Sequence, residues 1–318
     1  MSSEKTLNEV FSSLSARRRY EVWFVRLGLT DGSAAWWFRY LLITSGTRLA
    51  QGMRLQVWAT RFPAHAAPET FIEEFPQSEI DLSPRGQHPF HLRGGENGID
   101  ENSCRGELRR HGHRVSWNLH YRSTFRVTLS DKGWIGFSRT PHSDGIFSGR
   151  ITFDDETLEG DPLGWGVQGH NCGYKHRDFW VWTHAYFLPR DGAASTLEAL
   201  VYDMPLGLVF RKAVLWHRGR PDILRDLRET RRDPESLRWE LHGSTSENYH
   251  LEFAVDGGGR GLHRLVYQKT DGSGTLSVLN NSLARAQLCL RGPTDLCERL
   301  STATGAVLEM AGNVRRIG

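Results

Sequence analysis

The sequence predicts an all-β protein, and three observations support this fold class. Apolar and polar residues alternate along many short segments, turns rich in Gly, Asp and Asn separate those segments, and helical periodicity is scarce. Short strands joined by regular turns are typical of a β-sandwich or a β-barrel. The length of 318 residues fits one large or two ordinary domains, and it favours two.

The predicted elements follow in order from the N-terminus. Short helices are predicted at residues 4–15, 222–230 and 293–302. Strands are predicted at residues 20–28, 35–44, 53–62, 114–122, 178–188, 208–216, 249–255, 262–269 and 275–281. Turn signals lie between them at residues 30–32, 110–113, 143–145, 255–261 and 270–274.

Two strands show which side chains share a face, because successive side chains of a strand point to opposite sides. In residues 114–122, one face carries Val115, Trp117, Leu119 and Tyr121, and the other carries Ser116, Asn118, His120 and Arg122. In residues 178–188, one face carries Trp180, Trp182, His184 and Tyr186, and the other carries Phe179, Val181, Thr183, Ala185 and Phe187. Both faces of this second strand are bulky, so both are expected to be covered. An aromatic row with one histidine is what a ligand cavity needs.

The composition restricts the class of protein. Apolar residues make up 38% of the chain, which is too many for disorder, and the 11 tryptophans are expected in a core, an interface or a cavity. A net charge of +3, with both signs spread along the chain, argues against nucleic acid as the main partner. The sequence shows no signal-peptide pattern and no apolar run of about eighteen residues, so a cytoplasmic protein without an integral membrane segment is expected.

The best linker candidate is residues 188–196, which contain Pro, Asp-Gly and small residues. A domain boundary is therefore predicted there, with an N-terminal unit of residues 1–190 and a C-terminal unit of residues 191–318. The 4 cysteines lack CxxC spacing, so reduced thiols are expected rather than a zinc ribbon or a disulfide framework.

The segment GHNCGYKHRDFWVWTHAY (169–186) is the densest in reactive side chains, and its chemistry stays open at this stage. One interpretation is a metal site formed by His170, Cys172 and His176, with His184 as a fourth ligand. A second makes Cys172 a nucleophile activated by the histidines. A third, better supported, is a histidine acid or base beside an aromatic cavity, whose rings stabilise cationic character. A filled core with a hydrogen-bonded histidine is the fourth.

Other polar candidates lie in or beside predicted strands. They are Glu21, Asn118, His120 and the adjacent pair Tyr202 and Asp203, with Tyr249, His250, Asn280 and Asn281 as weaker ones. Asp203 also fits a turn-forming role, because Pro205 follows it at the end of an apolar strand.

Three stretches resemble a known family: YEVWF near the start, GELRRHGHRVSWNLHY in the middle, and GWGVQGHNCGYKHRDFWVWTH. Together they are similar to the lipocalin-like superfamily of carotenoid 1,2-hydratases, tocopherol cyclases and AttH-like proteins, which includes related fungal pericyclases. The resemblance implies two tandem lipocalin-like antiparallel β-barrels with a few short helices, and a hydrophobic pocket within or between them. It also implies chemistry without a cofactor on isoprenoid or polyene substrates, by hydration, cyclisation or cycloaddition.

The resemblance also suggests roles for individual residues. His170 and Asn171 match the His-Asn of the motif, Trp180 and Trp182 match its W-x-W strand, and Tyr202 with Asp203 lies about where the hydratases place a polar pair. Relatives often carry tryptophan where this chain has Cys172, which enlarges the pocket or changes its polarity.

The resulting prediction is a hydratase or cyclase that acts by acid-initiated chemistry in an aromatic pocket. The predicted catalytic residues are His170, His184, Tyr202 and Asp203. The predicted substrate-binding residues are Asn171, Cys172, His176, Trp180, Trp182, Tyr186, Trp117 and Glu21. No cofactor or metal is predicted, and the partner is a hydrophobic small molecule. A pericyclase and a non-catalytic lipid or pigment carrier are the alternatives, and a homodimer is left open.

Overall fold

The computed structural model describes residues 7–11, 19–44, 52–84, 87, 89–132, 135–188, 194–259, 261–269, 273–292 and 297–317. Within these residues, regular structure is almost entirely β-strand, and the helical segments are the two short 3-10 turns Gln77–Glu79 and Pro205–Gly207. The all-β prediction is therefore confirmed.

The first sheet is built from the N-terminal part of the chain. Its strands are β1 (Arg19–Leu29), β2 (Ala34–Thr44), β3 (Met53–Pro63), β4 (Glu69–Pro76), β5 (Ile80–Leu82), β6 (His91–Gly94), β7 (Asn97–Asp100), β8 (Ser103–Arg110), β9 (His113–Arg122), β10 (Val127–Asp131), β11 (Gly136–Phe153) and β12 (Glu156–Gly173). They pair in the order β4-β3-β2-β1-β12-β11-β9-β8-β7-β6-β5, with β10 on β11. The sheet wraps around one apolar core that includes Trp23, Trp36, Phe38 and Trp117.

The second sheet is built from the C-terminal part of the chain. Its strands are β13 (Phe179–Phe187), β14 (Ser195–Asp203), β15 (Val209–His217), β16 (Arg220–Ile223), β17 (Arg225–Asp233), β18 (Arg238–Ser244), β19 (His250–Asp256), β20 (His263–Gln268), β21 (Thr275–Arg291) and β22 (Cys297–Gly312). They pair in the order β16-β15-β14-β13-β22-β21-β19-β18-β17, with β20 on β21. A second core includes Val181, Phe187, Trp239 and Phe253.

The alternation read from the sequence correctly assigns the faces of β9 and β13. Val115, Trp117, Leu119 and Tyr121 all belong to the first core. In β13, Val181, Ala185 and Phe187 belong to the second core, whereas Trp182 points the other way. The aromatic row of β13 therefore lies outside the second barrel and faces the first sheet.

The two sheets pack against each other through their outer faces. A third apolar cluster joins Phe24 and Trp37 of the first sheet to Trp182, Leu200 and Tyr202 of the second. Arg26 of β1 is fully buried in this interface, and its guanidinium donates to backbone carbonyls of the second sheet, at Ser282, Thr304, Gly305 and Ala306. The interface is therefore partly polar and specific.

The helix predictions fail wherever the structure tests them. Residues 222–230 lie in β16 and β17, because pairing of β17 with β18 satisfies their backbone groups and buries Leu224. Residues 297–302 lie in β22, residues 7–11 are not helical, and the rest of 4–15 and 293–302 lies outside the described residues. No helix among the described residues is long and apolar enough to cross a bilayer.

The chain passes from the first sheet to the second between Gly173 and Phe179, earlier than the boundary predicted at residue 190. The strand Phe179–Phe187 accordingly pairs in the second sheet, and the predicted domain limits stay a prediction. Most of the predicted linker, residues 189–193, lies outside the described residues.

The expectation of reduced thiols is wrong for one pair of cysteines. Cys289 and Cys297 form a disulfide, because the antiparallel pairing of β21 and β22 brings their Cα atoms to 6.3 Å. Cys104 and Cys172 are buried and lie outside this disulfide.

Candidate functional site

A cavity of about 420 Å³ lies between the two sheets, within the size range of small-molecule sites. The first sheet contributes Tyr20, Val22, Phe24, Trp37 and Arg39 to its lining. The second sheet contributes Trp180, Trp182, Leu200, Tyr202, Tyr267 and Glu309. Residues 171–177, which comprise the end of β12 and the segment that follows it, complete the lining together with residues in and beside β10 and β11.

The sequence builds this cavity from strand alternation. In β1, Trp23, Val25 and Leu27 fill the first barrel, so Tyr20, Val22 and Phe24 point away from it. The same rule turns Trp180 and Trp182 away from the second barrel. The cavity therefore forms where the outer faces of two barrels meet.

Glu309 of β22 is the one carboxyl group in the described lining of the cavity. It accepts hydrogen bonds from the Trp180 indole Nε1 at 2.7 Å, the Asn280 amide at 3.2 Å and the Tyr267 hydroxyl at 3.4 Å. Burial raises the pKa of Glu309, although the charge of Arg39 and the three hydrogen bonds oppose the shift. A carboxyl group of this kind holds its proton at higher pH than an exposed glutamate does.

Arg39 of β2 lies beside this carboxyl group. Its guanidinium carbon is 4.2 Å from the ring centroid of Tyr267 and 5.1 Å from that of Trp58, so the cation is held over two aromatic faces. Its Nη1 atom is buried and has no hydrogen-bond partner in the described part of the chain.

A stack of rings forms another side of the cavity. Tyr20 and His176 are parallel, with ring centroids 4.5 Å apart, and Trp180 continues the stack 6.1 Å from His176. Burial raises the pKa of Tyr20 well above its usual value, so its hydroxyl stays protonated. This side of the cavity is flat, aromatic and uncharged at Tyr20 and Trp180.

The predicted pair Tyr202 and Asp203 is divided by the strand geometry. The Tyr202 hydroxyl lines the cavity and is 3.0 Å from Ser130 Oγ, while Arg177 lies 4.9 Å from the centre of its ring. Asp203 instead accepts the backbone N–H of Phe179 at 3.1 Å and does not line the cavity. Asp203 therefore connects two neighbouring strands.

His170 lies inside the first barrel, not in the cavity. Its Nδ1 donates to the carbonyl of Leu7 at 2.7 Å, its Nε2 is hydrogen-bonded to Glu21 at 2.8 Å, and its ring stacks on Trp23. The N-terminal residues 7–11 cover this pair, since the backbone N–H of Phe11 also donates to Glu21. His170 and Glu21 are fully buried, and neither lines the cavity.

His184 is buried in the interface between the sheets but also lies outside the cavity. Its Nε2 donates to the carbonyl of Ser143 at 2.7 Å, and burial lowers its pKa to about 3. The imidazole is therefore neutral at ordinary pH.

Glu198, opposite His184 in the register of β13 and β14, is a second buried carboxyl group. It accepts the indole N–H of Trp182 and the hydroxyl of Thr140, both at 2.9 Å, and its other oxygen has no hydrogen-bond partner among the described residues. Burial raises its pKa to about 7. Unlike Glu309, it does not line the cavity.

The structure thus brings six predicted residues together in the cavity lining: Asn171, Cys172, His176, Trp180, Trp182 and Tyr202. It places His170, His184, Asp203, Glu21, Tyr186 and Trp117 elsewhere. Trp117 lies in the first core, where its Nε1 donates to the Tyr40 hydroxyl at 3.0 Å. Among the described residues, no three His, Cys, Asp or Glu side chains converge as a metal site would require.

Sequence reasoning missed most of the lining, including Tyr20, Arg39, Tyr267 and Glu309. Glu309 gives the clearest signal, because it is the single charged residue within the apolar run at 306–311. Arg39 gives a similar signal within the apolar strand at 35–44. A charge inside such a run has to find a partner or a cavity.

Solved structures share this fold along nearly the whole chain. CghA with Sch210972 matches with a TM-score of 0.63 and 12% identity, covering 93% of this chain and 88% of that chain. Kievitone hydratase from Nectria haematococca matches with a TM-score of 0.58 and 12% identity, covering 97% and 94%. An AttH-like protein from Nitrosomonas europaea matches with a TM-score of 0.51 and 12% identity, covering 94% and 93%.

The predicted resemblance to the lipocalin-like hydratases and AttH-like proteins is confirmed at the level of the fold. At 12% identity these matches say nothing further about chemistry, which has to be argued from the site. No protein-family model and no curated protein sequence matches the chain.

Proposed function

We propose that this chain is a cofactor-independent enzyme that binds an apolar, unsaturated small molecule of the isoprenoid or polyene kind and starts its hydration or cyclisation by protonation. The observation that carries the proposal is Glu309, a buried carboxyl group with a raised pKa in the lining of an aromatic cavity. Two structural neighbours add support, since one is named a hydratase and another was solved with a small molecule.

Glu309 replaces the predicted donors His170 and His184, because neither histidine lines the cavity. A raised pKa lets the carboxyl group hold its proton to higher pH than an exposed glutamate does, which suits a general acid. The hydrogen bonds that it accepts from Trp180, Asn280 and Tyr267 fix its position at the cavity wall.

The proposed step begins when the O–H bond of Glu309 breaks and its proton forms a C–H bond with an alkene carbon. The resulting carbocation lies against the faces of Trp180 and Trp182, whose π electrons stabilise cations. Water, or a hydroxyl of the substrate, then forms a C–O bond and releases a proton to the Glu309 carboxylate. This regenerates the acid and balances the reaction.

The test compares two buried glutamates that each accept a tryptophan N–H, of which Glu309 lines the cavity and Glu198 does not. Kievitone and a panel of isoprenoid alcohols would be incubated with wild type, Glu309→Gln and Glu198→Gln in D2O, and the products analysed by mass spectrometry. Wild type is expected to place one non-exchanging deuterium on carbon. Glu309→Gln should lower turnover by about 100-fold or more while binding survives, since general acids contribute on this scale.

The control Glu198→Gln should keep turnover close to wild type, because Glu198 also accepts a tryptophan N–H but does not line the cavity. A product without carbon-bound deuterium would support a pericyclase instead. Binding without any product in wild type would favour a carrier. Loss of turnover in both variants would contradict the role given to Glu309.

A further inference from the structure

We propose that the ligand of the cavity between the sheets carries an oxyanion, a carboxylate or enolate, and that Arg39 binds it. The inference rests on the proposed function, because it narrows the class of apolar substrate that the same cavity accepts.

The first argument is the state of Arg39 itself. The residue is 8% exposed and lines the cavity, and its Nη1 has no hydrogen-bond partner among the described residues. The Nη1 atom is enclosed by protein, so a ligand would meet the part of the guanidinium that borders the cavity. A cation at an apolar cavity wall is costly to leave without a counter-charge, and an oxyanion in the cavity supplies one. The rings of Tyr267 and Trp58 hold the guanidinium in place before any ligand arrives.

Arg26 shows how the fold holds a buried arginine where no ligand is needed, although its Nε has no hydrogen-bond partner among the described residues. Its two terminal nitrogens donate to four backbone carbonyls of the second sheet. Arg39 has no comparable set, although it lies on the adjacent strand and on the same outer face of the first sheet. The difference points to a partner from outside the protein chain.

The charges around the cavity favour the same kind of ligand. Lys132, Lys175 and Arg177 also contribute to the lining, so with Arg39 the described lining has four cationic side chains and one carboxyl group. The opposing group is Glu309, whose raised pKa favours the neutral form. The cavity is therefore positive on balance and attracts anions from solution.

The proposed protonation gives a chemical reason for an oxyanion. A carbocation beside an unpaired guanidinium would be repelled by it, and the repulsion is strong in an apolar cavity. A ligand that brings one negative charge to Arg39 neutralises the guanidinium before the carbocation forms. The substrate would then have an acidic head group at Arg39 and an unsaturated body along Trp180 and Trp182.

The experiment uses two probe pairs, each with one apolar body and two head groups: retinoic acid with retinol, and farnesoic acid with farnesol. Binding to the full chain is measured by isothermal titration calorimetry at a pH where the acids are ionised. Wild type is expected to bind each acid about tenfold to a hundredfold more tightly than its alcohol, which is the usual contribution of a hydrogen bond to a charged group.

Arg39→Gln should remove this preference while leaving the affinity for the alcohols within about twofold, because it keeps a polar side chain but loses the charge. Arg39→Lys should restore part of the preference. Arg150→Gln is the matched control, an exposed arginine outside the cavity lining, and it should leave the preference unchanged.

Equal affinities for acids and alcohols in wild type would overturn the role of Arg39 and leave the proposed function standing. A preference for the acids that persists in Arg39→Gln would overturn the inference in the same way. Failure of all four probes to bind would contradict the proposed apolar substrate, and the inference would fall with it.

Discussion

The interface between the two sheets has a closed half and an open half, built from the same kinds of residue. The closed half contains Arg26, Glu198 and His184, and the open half contains Arg39, Glu309 and Tyr267. Each half has a buried arginine from the first sheet and a carboxyl group that accepts a tryptophan N–H from β13. Trp182 donates to Glu198 at 2.9 Å and Trp180 donates to Glu309 at 2.7 Å.

The halves differ in what lies beside their polar groups. In the closed half, Arg26 is held by backbone carbonyls where the pairing of β21 and β22 is irregular, and His184 donates to the carbonyl of Ser143. Each half keeps a buried arginine nitrogen without a hydrogen-bond partner among the described residues, Arg26 Nε and Arg39 Nη1, but of these two arginines Arg39 is the one that lines the cavity. Residue type alone therefore does not identify the site, because a group is available for chemistry only where packing leaves room for a ligand.

The largest expected effect concerns the two arginines. Arg26→Met should lower the free energy of unfolding by about 3 to 5 kcal/mol, because backbone carbonyls of the second sheet lose a charged donor. Arg39→Met should lower it by less, about 1 to 2 kcal/mol, since it removes cation–π contacts with Tyr267 and Trp58 rather than hydrogen bonds to several backbone carbonyls. Chemical denaturation of both variants gives the comparison, and equal losses would show that Arg39 also holds the sheets together.

The next effect is a pH dependence of stability that comes from the closed half. Burial raises the pKa of Glu198 to about 7 in the folded state, above the usual value for an unfolded chain. The folded protein therefore binds this proton more tightly, so stability is highest below the unfolded pKa and decreases as pH rises toward about 7. The total loss is on the order of 3 kcal/mol.

Glu198→Gln should remove this decrease, because it has no proton to lose. The measurement is the difference in unfolding free energy between wild type and Glu198→Gln from about pH 4.5 to about pH 8. This range covers the pKa of Glu198 in both the unfolded and the folded state. A constant difference across the range would show that Glu198 titrates normally. His184→Asn gives a contrast of opposite sign, because burial lowers the folded pKa of His184 to about 3, so the stability lost to protonation of the unfolded histidine returns as pH rises toward its ordinary pKa of about 6.5.

Features of the fold and the site could be predicted from the sequence where they depend on residues close together in the chain. Alternation in residues 20–28, 114–122 and 178–188 was sufficient to predict the strands and their faces, because it depends only on neighbours in the chain. The helix predicted at 222–230 failed, since its backbone partners in β18 are a property of the whole sheet. The fold class followed from the local pattern, and the pairing did not.

The site was less predictable for the same reason. Asn171, Trp180, Trp182 and Tyr202 were found because they lie in recognisable motifs. Arg39 and Glu309 meet only because β2 and β22 pack across the interface, which no local pattern encodes. His170 was assigned to the pocket, whereas residues 7–11 enclose it within the first barrel.

The smallest expected effect is a pH dependence of ligand affinity in the open half. An oxyanion bound at Arg39 and a carboxylate at Glu309 would repel each other, so the neutral form of Glu309 binds the ligand better. The affinity for retinoic acid should therefore fall by about threefold to tenfold as pH rises through the raised pKa of Glu309, while the affinity for retinol changes less. In Glu309→Gln this pH dependence should disappear, and in Glu198→Gln it should persist, because Glu198 lies outside the cavity. If the affinity for retinoic acid still depends on pH in Glu309→Gln, the titrating group is on the ligand and not Glu309. The closed and open halves would then differ in shape but not in the charge state of their glutamates.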